Sequence, residues 1–201
     1  MKEKLVRSSI LVVAAYGLGL CVALCYKTGW SADPITVFYA GLSNTFGISL
    51  GLANSLTALT MIIIVAFVDR RQLGLGTILA PLAIQFGIDH GMLFIPQINE
   101  LLWRLVFLGS AFVGLSFSIA VVVCCDVGRT SYEGLCLSVG KVLHRPFYHI
   151  RWFTDGCLLV AGILMGETIS FAPVLAFLVL GKLTDIFMIF IRRHWLAEMK
   201  A

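Results

Sequence analysis

Four apolar stretches, each about twenty residues long, constrain the fold of this chain more than any other feature. They cover about residues 8–27, 47–68, 74–96 and 104–125. A helix that crosses the hydrocarbon core of a bilayer needs about 20 apolar residues. Backbone polar groups that face lipid must be satisfied within their own segment, and helices are the usual way to achieve this. The stretches therefore predict an all-α membrane protein that crosses the bilayer several times.

The composition excludes the water-soluble classes of protein. Hydrophobic residues make up 59% of the 201 residues and charged residues only 13%, whereas a soluble domain is about one quarter charged. So little charge cannot cover the surface of a cytosolic enzyme or solvate a disordered regulator. The net charge of +4 does not indicate nucleic-acid binding, because the basic residues are scattered between the apolar stretches. We expect residues 1–201 to form a single domain within a lipid bilayer.

Two further stretches are less apolar and complete a predicted bundle of six transmembrane helices. The fifth stretch, about 152–167, contains Asp155, and the sixth, about 169–191, contains Lys182 and Asp185. The first stretch of the chain follows a basic segment, as the apolar part of a secretory signal does, but it is too long for one. We therefore predict that it is a retained helix.

The positions of Lys and Arg predict which side of the membrane each connection faces. Of the 15 basic residues, Lys182 lies within a span, and only Lys27 and Arg104 fall on the outer side if the N-terminus is cytoplasmic. The other twelve then fall on the inner side, as expected for cytoplasmic loops. The tryptophans agree, because two fall at each predicted edge of the membrane, where aromatic belts lie: Trp30 and Trp103 outside, Trp152 and Trp195 inside. Both termini are therefore predicted to be cytoplasmic.

The two halves of the chain, about 7–97 and 103–192, resemble one another weakly. Segment 76–89 aligns with segment 172–185, and the matching residues are Leu79, Ala80, Leu82 and Asp89 with Leu175, Ala176, Leu178 and Asp185. Each half contains three predicted spans, an odd number, so the second half enters the membrane from the opposite side. The sequence thus predicts two inverted three-helix repeats, an arrangement that many secondary transporters use.

Each half also contains a short apolar segment that follows a polar turn. Segments 35–45 and 134–143 are too short to cross a bilayer. Two interpretations remain open: the segments are re-entrant half-helices whose N-termini attract an anionic group, or they are helices that lie flat at the interface. Pro34 suits the first turn of a helix, and Asp33 before it suits a side-chain cap.

Short glycine-based motifs run through nearly the whole chain. They lie at residues 29–38, 41–43, 47–51, 74–77 and 128–135, together with an acidic residue at Asp89 and the spaced pair Arg151 and Asp155. The motifs resemble those of the YczE/YyaS/YitT family of bacterial membrane proteins. The chain departs from the family pattern at Ser131, where the family has proline, at Thr36, where it has an acidic residue, and at 170–173. The resemblance implies a multi-pass protein of the bacterial cytoplasmic membrane and implies little about activity.

The polar and charged residues of the spans and turns are the candidate ligand-binding residues, because such groups are costly inside a membrane. They are Asp33, Asn54, Gln85, Asp89, Arg129, Glu133, Arg151, Asp155, Lys182 and Asp185. The functional hypothesis places Asp89, Lys182 and Asp185 beside a polar cavity between the two halves, where they would bind a solute or carry protons.

Each candidate also has a structural interpretation. Lys182 with Asp185, and Arg151 with Asp155, have the spacing of ion pairs within one helix. The amides of Asn54 and Gln85 suit hydrogen bonds between helices. The remaining candidates suit salt bridges within the polar turns: Asp33, Arg129 and Glu133. Six glycines are interpreted as sites where helices approach closely: Gly17, Gly19, Gly109, Gly114, Gly162 and Gly166.

The sequence carries no signature of an enzyme. It contains no H-E-x-x-H, no P-loop and no G-x-S-x-G, so we expect no catalysis, no metal and no cofactor. The leading functional prediction is a transporter or membrane binder of a small solute at the interface of the halves. The alternative is a non-transporting partner subunit or assembly factor, and a membrane protein partner or a homo-oligomer is compatible with both.

Overall fold

Helices make up the ordered elements of this computed structural model, which describes residues 2–125, 127–128, 130–145, 147–167 and 171–198. Within those ranges there are eight α-helices, one short 3₁₀ helix (Arg70–Gln72) and no strand. The α-helices are α1 (Lys2–Lys27), α2 (Pro34–Phe46), α3 (Leu50–Val68), α4 (Leu75–Phe94), α5 (Leu101–Cys124), α6 (Ser131–Leu143), α7 (Phe147–Leu164) and α8 (Phe171–Glu198). The predicted all-α class is confirmed.

Four of the helices are long and apolar enough to cross a membrane. They are Lys4–Lys27, Leu50–Val68, Leu75–Phe94 and Leu101–Cys124, with mean hydropathy between 1.3 and 2.3. They coincide with the first four predicted stretches to within a few residues. Large apolar side chains also lie on the outside of the bundle, where water would disfavour them and lipid does not; Phe67 is 83% and Phe94 76% exposed. These features indicate a membrane protein, and the crossings by α7 and α8 stay predictions.

The two short helices are built alike. Each has 13 residues, begins at a side-chain cap and ends at a residue in the left-handed conformation. Asp33 caps the start of α2, as the sequence predicts. Gly47, with φ 64°, ends the helix. Thr130 caps α6, and His144, with φ 52°, ends it. The cap at Thr130 explains why α6 begins three residues before the predicted start at 134.

Helix α1 lies at the centre of the bundle. It packs along α4 and against α5, and α5 in turn packs against α8. The crossing of α1 and α4 is very close, because a Cβ at Gly19 would lie 2.3 Å from the carbonyl oxygen of Ile84 and 3.0 Å from the Cα of Gly87. Such contact between backbones is what small residues permit in membrane helix pairs.

The short helices pack across the two halves of the chain. Helix α2 lies against α7, and α6 lies against α3, which also contacts α4. At the α2–α7 contact, a Cβ on Gly41 would lie 2.8 Å from the carbonyl oxygen of Gly162. The expected close approach is therefore confirmed at Gly162, as it is at Gly19 and at Gly114, where a Cβ would lie 2.6 Å from the sulfur of Cys21.

The same expectation is wrong at two other glycines. A Cβ on Gly109 or on Gly166 would meet nothing within 4 Å. Gly166 has a φ of 91°, so its role is to let the chain turn after α7. Gly17 makes only an ordinary contact, 3.6 Å from the hydroxyl oxygen of Ser118.

At one end of the bundle, which we call the Glu167 end, hydrogen bonds join the segments that connect the helices. The N–H of Ile98, after α4, donates to the carbonyl oxygen of Lys27 at the end of α1, over 3.0 Å. The amide nitrogen of Asn44, near the end of α2, donates to Oε2 of Glu167 over 2.9 Å. The ends of α1, α2, α4 and α7 thus lie together.

The remaining connections gather at the opposite end, which we call the Lys141 end. The N–H of Gly76, at the start of α4, donates to the carbonyl oxygen of Val127, after α5, over 3.1 Å. Nζ of Lys141, on α6, lies 2.5 Å from Oδ2 of Asp69, after α3. The Lys141 ammonium lowers the pKa of the Asp69 carboxyl. This end joins the connection between α3 and α4 to the segment between α5 and α7.

We expect the α1–α4 crossing to be sensitive to one added methyl group. Gly19→Ala or Gly87→Ala should destabilise the protein by about 1–3 kcal/mol, because the new Cβ overlaps backbone atoms of the facing helix. Gly109→Ala is the matched control, since its Cβ meets open space and alanine favours the helix. Denaturation of the three variants in detergent micelles measures the difference, and equal stability of all three would contradict the described crossing.

Candidate functional site

The two short helices begin inside the bundle, at the junction of α2, α3, α6 and α7. One apolar cluster joins all four helices there. Its members include Met61 of α3, Tyr132 of α6 and Ile150 of α7, with Ile35 of α2 and Leu158 of α7 packed against them. The first turns of α2 and α6 therefore lie against the same cluster, and the polar groups of both turns lie near each other.

A buried carboxylate, Asp155 of α7, lies at this junction. Tyr132 donates a hydrogen bond from its hydroxyl to Oδ1 of Asp155, and the two residues are only 9% and 8% exposed. Nε of Arg151, one turn earlier on α7, lies 3.8 Å from Oδ2 of Asp155. The Arg151 guanidinium also lies 5.5 Å from the centre of the Tyr132 ring. The predicted ion pair of Arg151 and Asp155 is thus present, and tyrosine completes it.

A second polar group starts at Asp33, the cap of α2. Its Oδ1 accepts hydrogen bonds from the backbone N–H of Thr36 over 2.8 Å and from the Thr36 hydroxyl over 2.6 Å. The Thr36 hydroxyl lies 2.9 Å from the hydroxyl of Tyr39. Thr36 and Tyr39 are buried, so a row of oxygen atoms runs from the Asp33 carboxylate into the core.

The two acidic residues, Asp33 at the start of α2 and Asp155 on α7, belong to helices that pack on the same apolar cluster through Ile35 and Leu158. A carboxylate in a poorly solvated site is unfavourable unless a proton or a cation is present. The surrounding hydroxyls of Tyr132, Thr36 and Tyr39 can donate to or accept from a bound group. The arrangement is therefore chemically suited to a proton or to a positively charged group.

The helix starts themselves do not offer the anion site that half-helices suggest. In α2, Pro34 has no N–H, the N–H of Thr36 is bonded to Asp33, and the N–H of Val37 donates to the Asp33 carbonyl oxygen over 3.1 Å. The negative charge that the helix dipole attracts is thus supplied by Asp33 itself. In α6, Glu133 occupies the first turn, and Arg129 lies outside the described residues.

The sequence candidates of the first half lie at the contact of α3 and α4. The amide nitrogen of Asn54 donates to the carbonyl oxygen of Pro81 over 3.4 Å, which confirms the expected bond between helices. Gln85 forms no side-chain hydrogen bond to any residue that the structure describes. Oδ1 of Asp89 accepts from the N–H of Gly51 over 3.0 Å, so Asp89 satisfies the first turn of α3 from a neighbouring helix.

The candidates of α8 lie elsewhere. Lys182 and Asp185 are exposed, and α8 makes its extensive contacts with α5. The structure therefore does not bring them to Asp89, which faces α3. The expected ion pair between Lys182 and Asp185 is also wrong, because neither residue has an ion pair within the described ranges.

Sequence reasoning missed several residues of the site because it ranked them by charge. Tyr132 and Thr36 are neutral, and only the structure shows that their hydroxyls donate hydrogen bonds to carboxylates. Glu167 lies at the end of the bundle named after it, beyond the last residue of α7, Leu164. Burial raises the pKa of the Glu167 carboxyl, and hydrogen bonds from Ser31 and Asn44 partly offset the increase. The contact of Asn44 with Glu167 joins two segments that are far apart in the sequence, so it could not be predicted from the sequence.

We expect the Tyr132 hydroxyl to contribute strongly to stability. Tyr132→Phe should lower the free energy of unfolding by about 1.5–3 kcal/mol, because it removes a hydrogen bond to a buried carboxylate. Tyr16→Phe is the control, since the Tyr16 hydroxyl bonds to His90 at an exposed site over 3.0 Å. Chemical denaturation at neutral pH compares the two variants. A loss at Tyr16 as large as that at Tyr132 would contradict the assigned geometry.

Comparisons with known proteins define the family of the chain. The model of DUF6198, a family of unknown function, matches residues 5–189. An uncharacterized protein of Haemophilus influenzae is 25% identical over 187 residues, which is 92% of this chain and 84% of that protein. No solved structure matches the chain. The matched region runs from α1 into α8 and includes both short helices.

Proposed function

The chain belongs to this family of unknown function, and we propose that it is a transporter that binds a small solute between two inverted halves of a six-helix membrane bundle. The observation that carries the proposal is the buried carboxylate of Asp155, 8% exposed, beside the first turns of two short helices. Charged groups inside membrane proteins are costly, and they commonly mark solute or proton pathways.

The two ends of the bundle support six crossings. Besides the four apolar helices, α7 starts beside Arg145, whose N–H donates to Gly140 at the Lys141 end, and ends beside Met165, whose carbonyl oxygen accepts from Thr45 at the Glu167 end. Helix α8 starts at the Glu167 end, because the ring centre of Phe171, its first residue, lies 4.7 Å from that of Trp30, which follows the end of α1. At about 27 Å and 42 Å, α7 and α8 have lengths comparable to the bilayer core.

The packing of the helices supports the inverted repeat. Exchanging helices α1 to α4 with helices α5 to α8 turns the α1–α4 contact into α5–α8, α2–α7 into α6–α3, and α2–α3 into α6–α7, and these contacts exist. The α3–α4 contact has no comparable α7–α8 counterpart among the described residues. Helix α2 ends at the Glu167 end, whereas α6 ends at the Lys141 end. Two equivalent short helices that run toward opposite ends are what inversion requires.

The orientation follows from the basic residues. The Lys141 end carries Arg70, Arg71 and Arg145 in short connections and Lys141 in the last turn of α6, so under the positive-inside rule it faces the cytoplasm. We therefore propose cytoplasmic termini and the inner membrane of a bacterium as the location. The resemblance to the YczE/YyaS/YitT family supports this location and rests on the motif residues alone.

The site chemistry favours a solute with a positive charge. Asp33 and Asp155 supply negative charge, and the hydroxyls of Tyr132, Thr36 and Tyr39 supply further oxygen atoms. A cationic group would compete with Arg151 for the Asp155 carboxylate, because the 3.8 Å between Nε of Arg151 and Oδ2 of Asp155 is longer than a hydrogen bond. If Arg151 or a proton replaced the solute at the Asp155 carboxylate, the site would release the solute.

We expect small organic cations, and not their acidic counterparts, to stabilise the purified protein. Thermal unfolding in detergent should be measured against a panel of primary amines, quaternary ammonium ions and matched carboxylic acids. The shift produced by a cation should disappear in Asp155→Asn, because the charge that binds it is lost. It should persist in Asp89→Asn, whose side chain faces the first turn of α3.

Uptake into proteoliposomes then tests transport of the stabilising cation. Accumulation that requires Asp155 and is retained in Asp89→Asn would support the proposal. A cation shift that is identical in wild type and Asp155→Asn, or a panel in which only the acids stabilise, would contradict it.

A second candidate function is a non-transporting membrane subunit or assembly factor. The observation that favours it is the exposure of Lys182 and Asp185 on α8, because such charges need a partner in a membrane. Copurification of a larger membrane complex, together with stability that no solute changes, would support this candidate over transport.

A further inference from the structure

Two charges on α8 have no partner within the described part of the chain. Lys182 and Asp185 are exposed, and neither forms a hydrogen bond or ion pair with a described residue. The neighbouring positions Gly181, Ile186 and Ile189 are exposed as well. Charged residues of membrane helices are usually paired or face a polar cavity, so this face of α8 is incomplete in the isolated chain.

Both charges lie far from the ends of α8. The helix starts at Phe171 and ends at Glu198, which places Lys182 and Asp185 about 17 Å and 21 Å along its axis of about 42 Å. If α8 crosses the bilayer, the two charges lie near the middle of the hydrocarbon core. Lipid headgroups at the helix ends are then too distant to serve as their partners.

We propose that the exposed face of α8, formed by Gly181, Lys182, Asp185 and Ile189, binds a second copy of this chain. A two-fold axis along the membrane normal would place two α8 helices side by side and parallel. Lys182 of each copy would then lie one helical turn from Asp185 of the other, and two reciprocal ion pairs would form. A surface that carries both charges is self-complementary, as a two-fold interface requires.

Gly181 supports the same partner. It lies next to the two charges, and a Cβ built on it would meet nothing within 4 Å. A residue without a side chain at the crossing point lets two membrane helices approach closely. Close approach is needed for Lys182 and Asp185 to reach across from one helix to the other.

The interface rests on the proposed crossing of the membrane by α8, but it does not rest on the proposed transport site. Helix α8 packs on α5, whereas Asp155 and Tyr132 belong to the junction of α2, α3, α6 and α7. Failure of the solute-binding tests would therefore leave the interface intact.

The charge pairs can be tested with two single reversals, Lys182→Asp and Asp185→Lys. Each variant alone should weaken self-association in lipid vesicles by about tenfold or more, because like charges then face each other. Mixed together, the two variants should form a heterodimer, since one face is now wholly acidic and the other wholly basic. Single-molecule photobleaching of two differently labelled proteins measures both outcomes.

Cross-linking supplies a test that keeps both charges. Gly181→Cys, in a background in which the six native cysteines are replaced by alanine, should form a disulfide-linked dimer in vesicles under mild oxidation. Gly109→Cys on α5 is the matched control, because its Cβ also meets open space, and it should remain uncross-linked. This measurement decides the proposal if the reversed variants fail to fold.

Three results would overturn the proposal. If the wild-type protein stays monomeric in vesicles, a second copy is not the partner. The same conclusion holds if the monomer copurifies with another protein. A dimer whose affinity is unchanged by both reversals uses another surface. A Gly109→Cys variant that cross-links as well as Gly181→Cys shows random collision and not a specific face.

Discussion

A helix of 13 residues is too short to cross a bilayer, and the rest of the structure depends on this constraint. Helices α2 and α6 have that length, or about 20 Å, and the first turn of each packs against the cluster that contains Met61, Tyr132 and Ile150. Their first turns must be satisfied there without water. Asp33 and Thr130 do so as caps. Tyr132, in the first turn of α6, donates a hydrogen bond to Asp155, and both residues are buried.

The long helices α1, α4 and α5 form a tightly packed layer beside this interior. Helices α1 and α4 pack so closely at Gly19 and Gly87 that their backbones touch, and α5 joins them on the other side of α1. The junction of α2, α3, α6 and α7 is therefore built beside a tightly packed layer. In this arrangement the glycines permit close packing of the long helices, and polar groups lie at the junction, at the helix caps, at the two ends, at the α3–α4 contact and on α8.

Local patterns made much of the fold predictable from the sequence. The four apolar stretches predict their helices because length and hydropathy are properties of one segment, and Asp33 with Pro34 predicts a helix start for the same reason. The hydrogen bond of Tyr132 to Asp155 was not predictable, because it joins two helices and one partner is neutral. The exposure of Lys182 and Asp185 was equally hidden, since a helical charge can face the core or the lipid, and only packing decides.

The side of the membrane on which each short helix ends is the most direct test of the opposed orientation of α2 and α6. Phe46→Cys and Leu143→Cys place a thiol at the last residue of α2 and of α6 in a cysteine-free background. With inside-out and right-side-out vesicles and a membrane-impermeant maleimide, the account predicts labelling of Phe46→Cys from the periplasmic face only and of Leu143→Cys from the cytoplasmic face only. Labelling of both thiols from the same face would contradict the opposed half-helices and the site between them.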